Sequence, residues 1–212
     1  MMRILQASTA DLSVCADLQS DALFVMPCTD LPMASRAAHH MAKRANAPGH
    51  VLLVQDLHAW GFIRIVNQVF QVTQGQYFGY VAQDAFAGRQ WLSLALDALQ
   101  RPDKALFAFN DGKWQGAFAS FGLASRVWAS KNYPDGDFFQ PGYQRHYADV
   151  EISLLAIGQG RYIHDPRSVL VEVDWNKDAA PVDPQDRAYY RSRVAHGFEG
   201  RVTQPALLNM VT

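Results

Sequence analysis

Short apolar runs alternate with longer stretches of helical periodicity along most of this chain, and each run stops on polar or turn-forming residues. Ala22 to Met26 closes on Pro27-Cys28-Thr29-Asp30, Val51 to Val54 stops at Gln55-Asp56, and Gln76 to Ala82 stops at Gln83-Asp84. Ala105 to Phe109 runs into the turn Asn110-Asp111-Gly112. Runs that are apolar at nearly every position predict strands covered on both faces, as in a parallel sheet. Arg3 to Ala7, Arg161 to Ile163 and Val169 to Val173 predict further short strands. Between them, Met33 to Ala45 carries Ala34, Ala37, Ala38, Met41 and Ala42 at helical spacing, and Asn46-Ala47-Pro48-Gly49 ends the helix. Trp60 to Val72, Trp91 to Leu99, Asp149 to Ile157 and Asp183 to Ala195 predict four more helices, and Ser8 to Asp11 predicts a cap for another reaching Gln19.

Strands separated by helix-length segments predict an α/β fold with a mainly parallel central sheet flanked by helices. Ligands in such sheets sit at the carboxyl ends of strands. Thr29, Asp56 and Asp84 fall there. The length of 212 residues suits one domain, here 1–178, followed by a C-terminal helix and tail over 179–212. A net charge of −1 provides no field for a polyanion, so nucleic acid is not an expected partner. No apolar run approaches the ~18 residues of a spanning helix, and the amino-terminal segment turns polar before a leader core forms. These features predict a cytoplasmic location, either free or peripheral to the inner membrane face. Cys15 and Cys28 lack metal or disulfide spacing and read as reduced, buried thiols. A charged fraction of only 18% suggests a partner surface, either in a homo-oligomer or in a larger complex.

A carboxylate at the end of a buried strand needs a ligand, a cap or solvent. Asp84 is either a hard-oxygen ligand for a divalent cation or the cap of the following helix. The order VLLVQD, Gly61, Asn67, QGQYFGYVAQD and Trp91-Leu92 resembles the nucleotide-binding half of glycosyltransferase family 2, with its A-type fold. The later stretch GYQRHYADVEISLLAIGQGRYIHDP resembles the acceptor half. The resemblance runs from about Leu23 to Trp175 and rests on the order of these motifs. It implies an inverting transfer of a sugar from a nucleotide diphosphate donor to a hydroxyl of a glycan or lipid-linked acceptor. Thr29, Asp56, Asn67, Gln83 and Asp84 would contact the donor, Asp84 would hold Mn2+ or Mg2+, and Asp149 would take the proton of the acceptor hydroxyl. A complex built for glycan assembly would then be the larger partner.

Three departures from the family pattern stand out. The DxD motif maps to Ala82-Gln83-Asp84 and the ED motif to Ala148-Asp149, while Glu172-Val173-Asp174 replaces the late histidine of the metal site. Glu172 and Asp174, two apart on a strand, face one side and are candidates to complete the cation shell. The literal Asp135-Gly136-Asp137 reads as a glycine turn. Glu151, Tyr143 and Trp114 are candidates for the acceptor side, and Arg145 and Arg161 for neutralising a diphosphate if the cation is lost. Asp84 and Asp149 are expected to converge on one cavity. Loss of the first DxD carboxylate also supports a second reading, a catalytically silent module that has kept the fold.

Overall fold

Strand β2 (Ala22–Cys28) is buried along its entire length, because the sheet continues on both sides of it and helices cover both faces. In the computed structural model, which describes residues 1–16, 18–173 and 182–210, β2 lies between β3 (Gly49–Gln55) and β4 (Tyr77–Tyr80), parallel to both. β1 (Met2–Ser8) runs parallel to β3 at one edge. Beyond β4 come β7 (Gly122–Ser125), β6 (Leu106–Asn110), β8 (Tyr162–Glu172) and, at the other edge, β5 (Ala85–Ala87). The eight-stranded order is β1-β3-β2-β4-β7-β6-β8-β5. β6 and β8 are parallel, whereas the pairings of β7 with β4 and β6, and of β5 with β8, are antiparallel.

The α/β class and the parallel half of the sheet agree with the hydrophobic pattern. The antiparallel strands β5 and β7 do not appear in it, because three or four residues are too few to show alternation. The two short strands expected around residues 161–173 are one strand, β8, whose polar middle shifts register against β6 between Ala108 and Asn110. The helix expected from Ser8 to Gln19 is a single turn of 3-10 helix at Ser13–Cys15. Ser8 is still paired with Gln55 in the β1–β3 ladder, and the Asp11 carboxylate accepts the Ser13 N–H and hydroxyl, which holds a local turn instead.

Side chains of β2 alternate between two cores, as the pleat requires. Leu23 and Val25 pack toward α2 (Phe62–Val72) and α5 (Ala148–Gly158). Phe24 and Met26 pack toward α1 (Leu31–Arg44) and α3 (Trp91–Leu99). α1 starts where the Asp30 carboxylate accepts the Met33 N–H at 2.8 Å and Pro32 occupies the first turn, and it ends on Lys43 and Arg44, which favour the negative end of the helix dipole. At the other end of the sheet Arg126, opening the short α4 (Arg126–Ala129), is buried beneath α2. Its guanidinium donates to the carbonyls of Phe70 and Thr73 and to the Thr73 hydroxyl, closing the carboxyl end of α2.

The C-terminal helix α6 (Pro184–Ala195) is part of the same body: Tyr190, Phe198 and Val202 are buried in the core that holds Leu23. The expected boundary at residue 179 falls outside the described residues. Cys15 and Cys28 are free and buried. Among the described residues no helix is long and apolar enough to cross a membrane.

Candidate active site

The carboxyl ends of β2, β3 and β4 open on a crevice of about 560 Å³ lined by Thr29, Asp56, Trp60, Gln83 and Arg145. It forms because β3 lies on one side of β2 and β4 on the other, so the loops after the strands diverge. Asp56 accepts backbone N–H groups from His58 (3.3 Å), Trp60 (3.0 Å) and Gly61 (2.9 Å). Burial pulls its pKa up, but those three donors outweigh burial and hold it below the usual carboxylate range. The carboxylate thus shapes the loop that brings Trp60 into the crevice, with the Arg64 guanidinium 4.4 Å from the Trp60 ring centre. The Gln83 side-chain oxygen accepts the N–H groups of Thr29 and Asp30 at 2.9 and 3.0 Å, joining the β4 end to the start of α1.

A second cavity of about 360 Å³ adjoins the first at Phe62 and Arg145, and its walls include Tyr80, Trp114, Phe139 and Asp149. Asp149 sits in the first turn of α5. Burial in this apolar wall pushes its carboxyl up to about 6; the backbone N–H groups of Val150 and Asp149 oppose the shift, and the Asp111 carboxylate adds to it. The helix starts immediately after Tyr147, a non-glycine residue at φ 71°. That strained conformation is braced by stacking on Tyr190, with ring centres 4.5 Å apart and an angle of 13° between the planes.

The opposite wall is built by residues 111–120. Asp111, itself buried, accepts the N–H groups of Lys113, Trp114 and Gln115 and the Ser120 hydroxyl, which presents the half-exposed Trp114 to the cavity. Ala119 is clamped on both sides: its carbonyl accepts the Tyr80 hydroxyl and its N–H donates to Ser153 Oγ at 2.9 Å. Ser153 Oγ in turn donates to the Asp149 carbonyl at 2.6 Å. The loop before Asp149 is held from α6, where the buried Asp186 carboxylate accepts N–H groups from Gln144, Arg145 and His146, each at 2.8 Å.

The structure brings Thr29, Asp56 and Gln83 into one crevice, and Asp149 and Trp114 into the adjoining cavity. Other candidates are placed differently. Asn67 is buried and spends its amide on the backbone of Phe139, donating at 3.0 Å and accepting at 2.8 Å, so it positions the aromatic wall. Glu151 is fully buried, paired with Arg193 at 2.6 Å, and accepts the hydroxyl of Tyr143, which is also buried. Both are therefore fastenings between α5, the preceding loop and α6, and neither offers a free polar group to an acceptor. Asp135-Gly136-Asp137 forms the expected turn, with Gly136 at φ 70° and its N–H donated to the Tyr133 carbonyl. Arg161 lies at the amino-terminal end of β8, across the sheet from the crevice.

Asp84 and Asp149 do not share a cavity. Asp84 lines a groove of about 520 Å³ beside α1, with Arg36, His40 and Phe86, which meets the crevice only at Gln83. Glu172 lies at that same edge, opposite Ala85 in the β5–β8 pairing, and Asp174 falls outside the described residues. The polypeptide turns into β5 directly after Gln83, which carries Asp84 away from the crevice. Ala82, where the first carboxylate of a DxD motif would stand, lines the crevice with a methyl group. Among the described residues no three His, Cys, Asp or Glu side chains gather, and a cation shared between protein and diphosphate still needs at least one free carboxylate in the crevice. Asp56, the one carboxylate among the described residues lining the crevice, is engaged by three backbone N–H groups, so those residues offer no free carboxylate to Mn2+ or Mg2+.

Trp60, Tyr80, Arg193 and Asp186 enter the site without having been singled out for it. Only Trp60, which follows a strand-end Asp, had a local signal.

The topology, with its crevice at the strand ends, is similar to the A-type fold of solved glycosyltransferases. No family model matches the sequence, and no curated protein matches it. Among solved structures, mannosyltransferase PcManGT from Pyrobaculum calidifontis, in complex with GDP-Man and Mn2+, superposes with a TM-score of 0.56 at 15% identity, covering 84% of this chain and 62% of that one. TarS of S. aureus superposes with a TM-score of 0.62 at 9% identity over 88% of this chain and 41% of that one. TarS in complex with UDP-GlcNAc gives 0.60 at 10% identity, over 88% and 68%. The chain thus spans between two-fifths and two-thirds of these neighbours' lengths.

Proposed function

We propose that this protein transfers a sugar from a nucleotide diphosphate donor to a hydroxyl group of an acceptor. The supporting observation is that Asp149, a carboxylate with a raised pKa in an aromatic cavity, adjoins a nucleotide-sized crevice across Phe62 and Arg145. In this reading Thr29, Asp56 and Gln83 frame the nucleotide and Trp60 offers a face to its base. The acceptor hydroxyl sits against Asp149. Its oxygen attacks the anomeric carbon, the bond from that carbon to the diphosphate oxygen breaks, the diphosphate leaves with the electron pair, and Asp149 takes the hydroxyl proton. One displacement inverts the anomeric configuration. The PcManGT and TarS complexes carry nucleotide sugars, which supports the donor class.

Trp114 and the apolar lining suit the C–H face of a sugar ring or the hydrocarbon beside a lipid-linked headgroup, so the acceptor is a glycan or a lipid-linked glycan, reached from the cytoplasm or the inner membrane face. The protein works as a homo-oligomer or within a glycan-assembly complex. Incubation with a panel of UDP, GDP and dTDP sugars and candidate acceptors, followed by mass spectrometry of product and released diphosphate, tests this reading. Asp149→Asn is expected to abolish product while leaving nucleotide binding intact.

The alanine at position 82 favours a second reading, a module that keeps the fold without the reaction. Nucleotide binding without turnover of any donor would establish it.

A further inference from the structure

We infer that the donor diphosphate is held by Arg145 instead of by a divalent cation. This rests on the transferase reading above and extends it to how the site balances charge. Arg145 is at the seam between the two cavities, lining both. That seam is where a donor must place its diphosphate if its nucleotide lies against Thr29 and Asp56 and its anomeric carbon faces Asp149. Among the described residues the Arg145 guanidinium has no acidic partner, whereas Arg193 is consumed by Glu151 and Glu199 and Arg167 by Asp165.

Its backbone is fixed: the Arg145 N–H, with those of Gln144 and His146, is donated to the buried Asp186 carboxylate. The side chain therefore starts from an anchored base at the seam of the two cavities. A guanidinium is planar and always charged, and it can donate to two phosphate oxygens at once. Of the acids lining the two cavities, Asp56 is engaged by three N–H groups and Asp149 by backbone N–H groups at the start of α5; Ala82 has no carboxylate to offer, and Asp84 lies in the groove beside α1. As the glycosidic bond to phosphate breaks, negative charge grows on the departing oxygen, and the fixed cation stabilises it there.

Calorimetric titration of the full chain with UDP, GDP, ADP, CDP and dTDP, in EDTA and again in Mn2+, tests this. At least one nucleotide is expected to bind in EDTA with an affinity within about threefold of that in Mn2+. Arg145→Met is expected to weaken that binding about 10- to 100-fold in either buffer, and Arg145→Lys to recover part of it. Thermal melts verify that both variants fold. Binding that appears only with Mn2+, or an Arg145→Met protein that binds like the original, overturns the assignment and leaves the transferase reading standing. Failure of all five nucleotides to bind in both buffers overturns the transferase reading and this assignment with it.

Discussion

Replacing Asp186 with alanine tests how the C-terminal helix supports the site. The carboxylate is 1% exposed and accepts three successive backbone N–H groups at 2.8 Å each. A hydrogen bond to a charged group contributes about 1.5–3 kcal/mol when both partners are buried. Gln144 and Arg145 are exposed, so water replaces part of what their N–H groups lose, and the total is nearer ~2–4 kcal/mol than the simple sum. In a chain of this size each kcal/mol moves Tm by roughly 2–4 °C, so Asp186→Ala is expected to melt roughly 4–16 °C lower by calorimetry. Asp186→Asn retains one acceptor oxygen and is expected to fall between the two. The same loop carries Arg145 and leads into Asp149, so nucleotide affinity, measured well below the lowered Tm, is expected to fall too. A Tm within about 2 °C of the original protein would refute the claim that α6 holds this loop through Asp186.

Four further outcomes follow from the geometry. Transfer needs Asp149 ionised, so kcat/KM is expected to drop about tenfold per pH unit below about 6 and to level off above it, with the break absent from any residual activity of Asp149→Asn. The raised folded pKa also means that stability declines as pH rises from the unfolded value of 3.8 to about 6 and is constant above that. Asp149→Asn is therefore expected to raise stability at pH 7.5 by about 1–3 kcal/mol, read by urea denaturation. Arg193→Met removes the 2.6 Å ion-pair partner of the fully buried Glu151, and is expected to cost about 3–5 kcal/mol in the same assay. A cost below ~1 kcal/mol would show that Tyr143 and Arg201, 4.0 Å away, suffice as its partners. Trp114→Ala removes an exposed wall of the second cavity without touching Asp111, and is expected to raise the acceptor KM about tenfold with the donor KM unchanged.

Much of the architecture was readable from local pattern. The unbroken apolar run of β2, the strand end at Asp56 and the start of α5 at Asp149 are each set within a few residues, by burial on both faces, by turn chemistry or by a helix terminus. The glycine turn at 135–137 belongs to the same class. Strands β5 and β7 carried no comparable signal, since their pairing is made by β8, β6 and β4 and not by their own three or four residues.

The site divides along the same line. Thr29, Asp56, Gln83, Asp149 and Trp114 could be named because strand ends, a motif order and an aromatic loop mark them in one dimension. Asp84 bears the same local marks, yet the chain turns into β5 immediately after Gln83 and delivers it to the groove beside α1. Asn67 reaches a partner 72 residues away, and Glu151 reaches one 42 residues away. Those polar side chains looked like ligands in isolation and are interior fastenings in the folded chain. Sequence by itself determined most of the longer strands and helices, because backbone geometry and burial act over a few neighbouring residues. Tertiary structure alone decided which charged groups remain open to a ligand, because that depends on whether a partner from a distant segment arrives first to satisfy them.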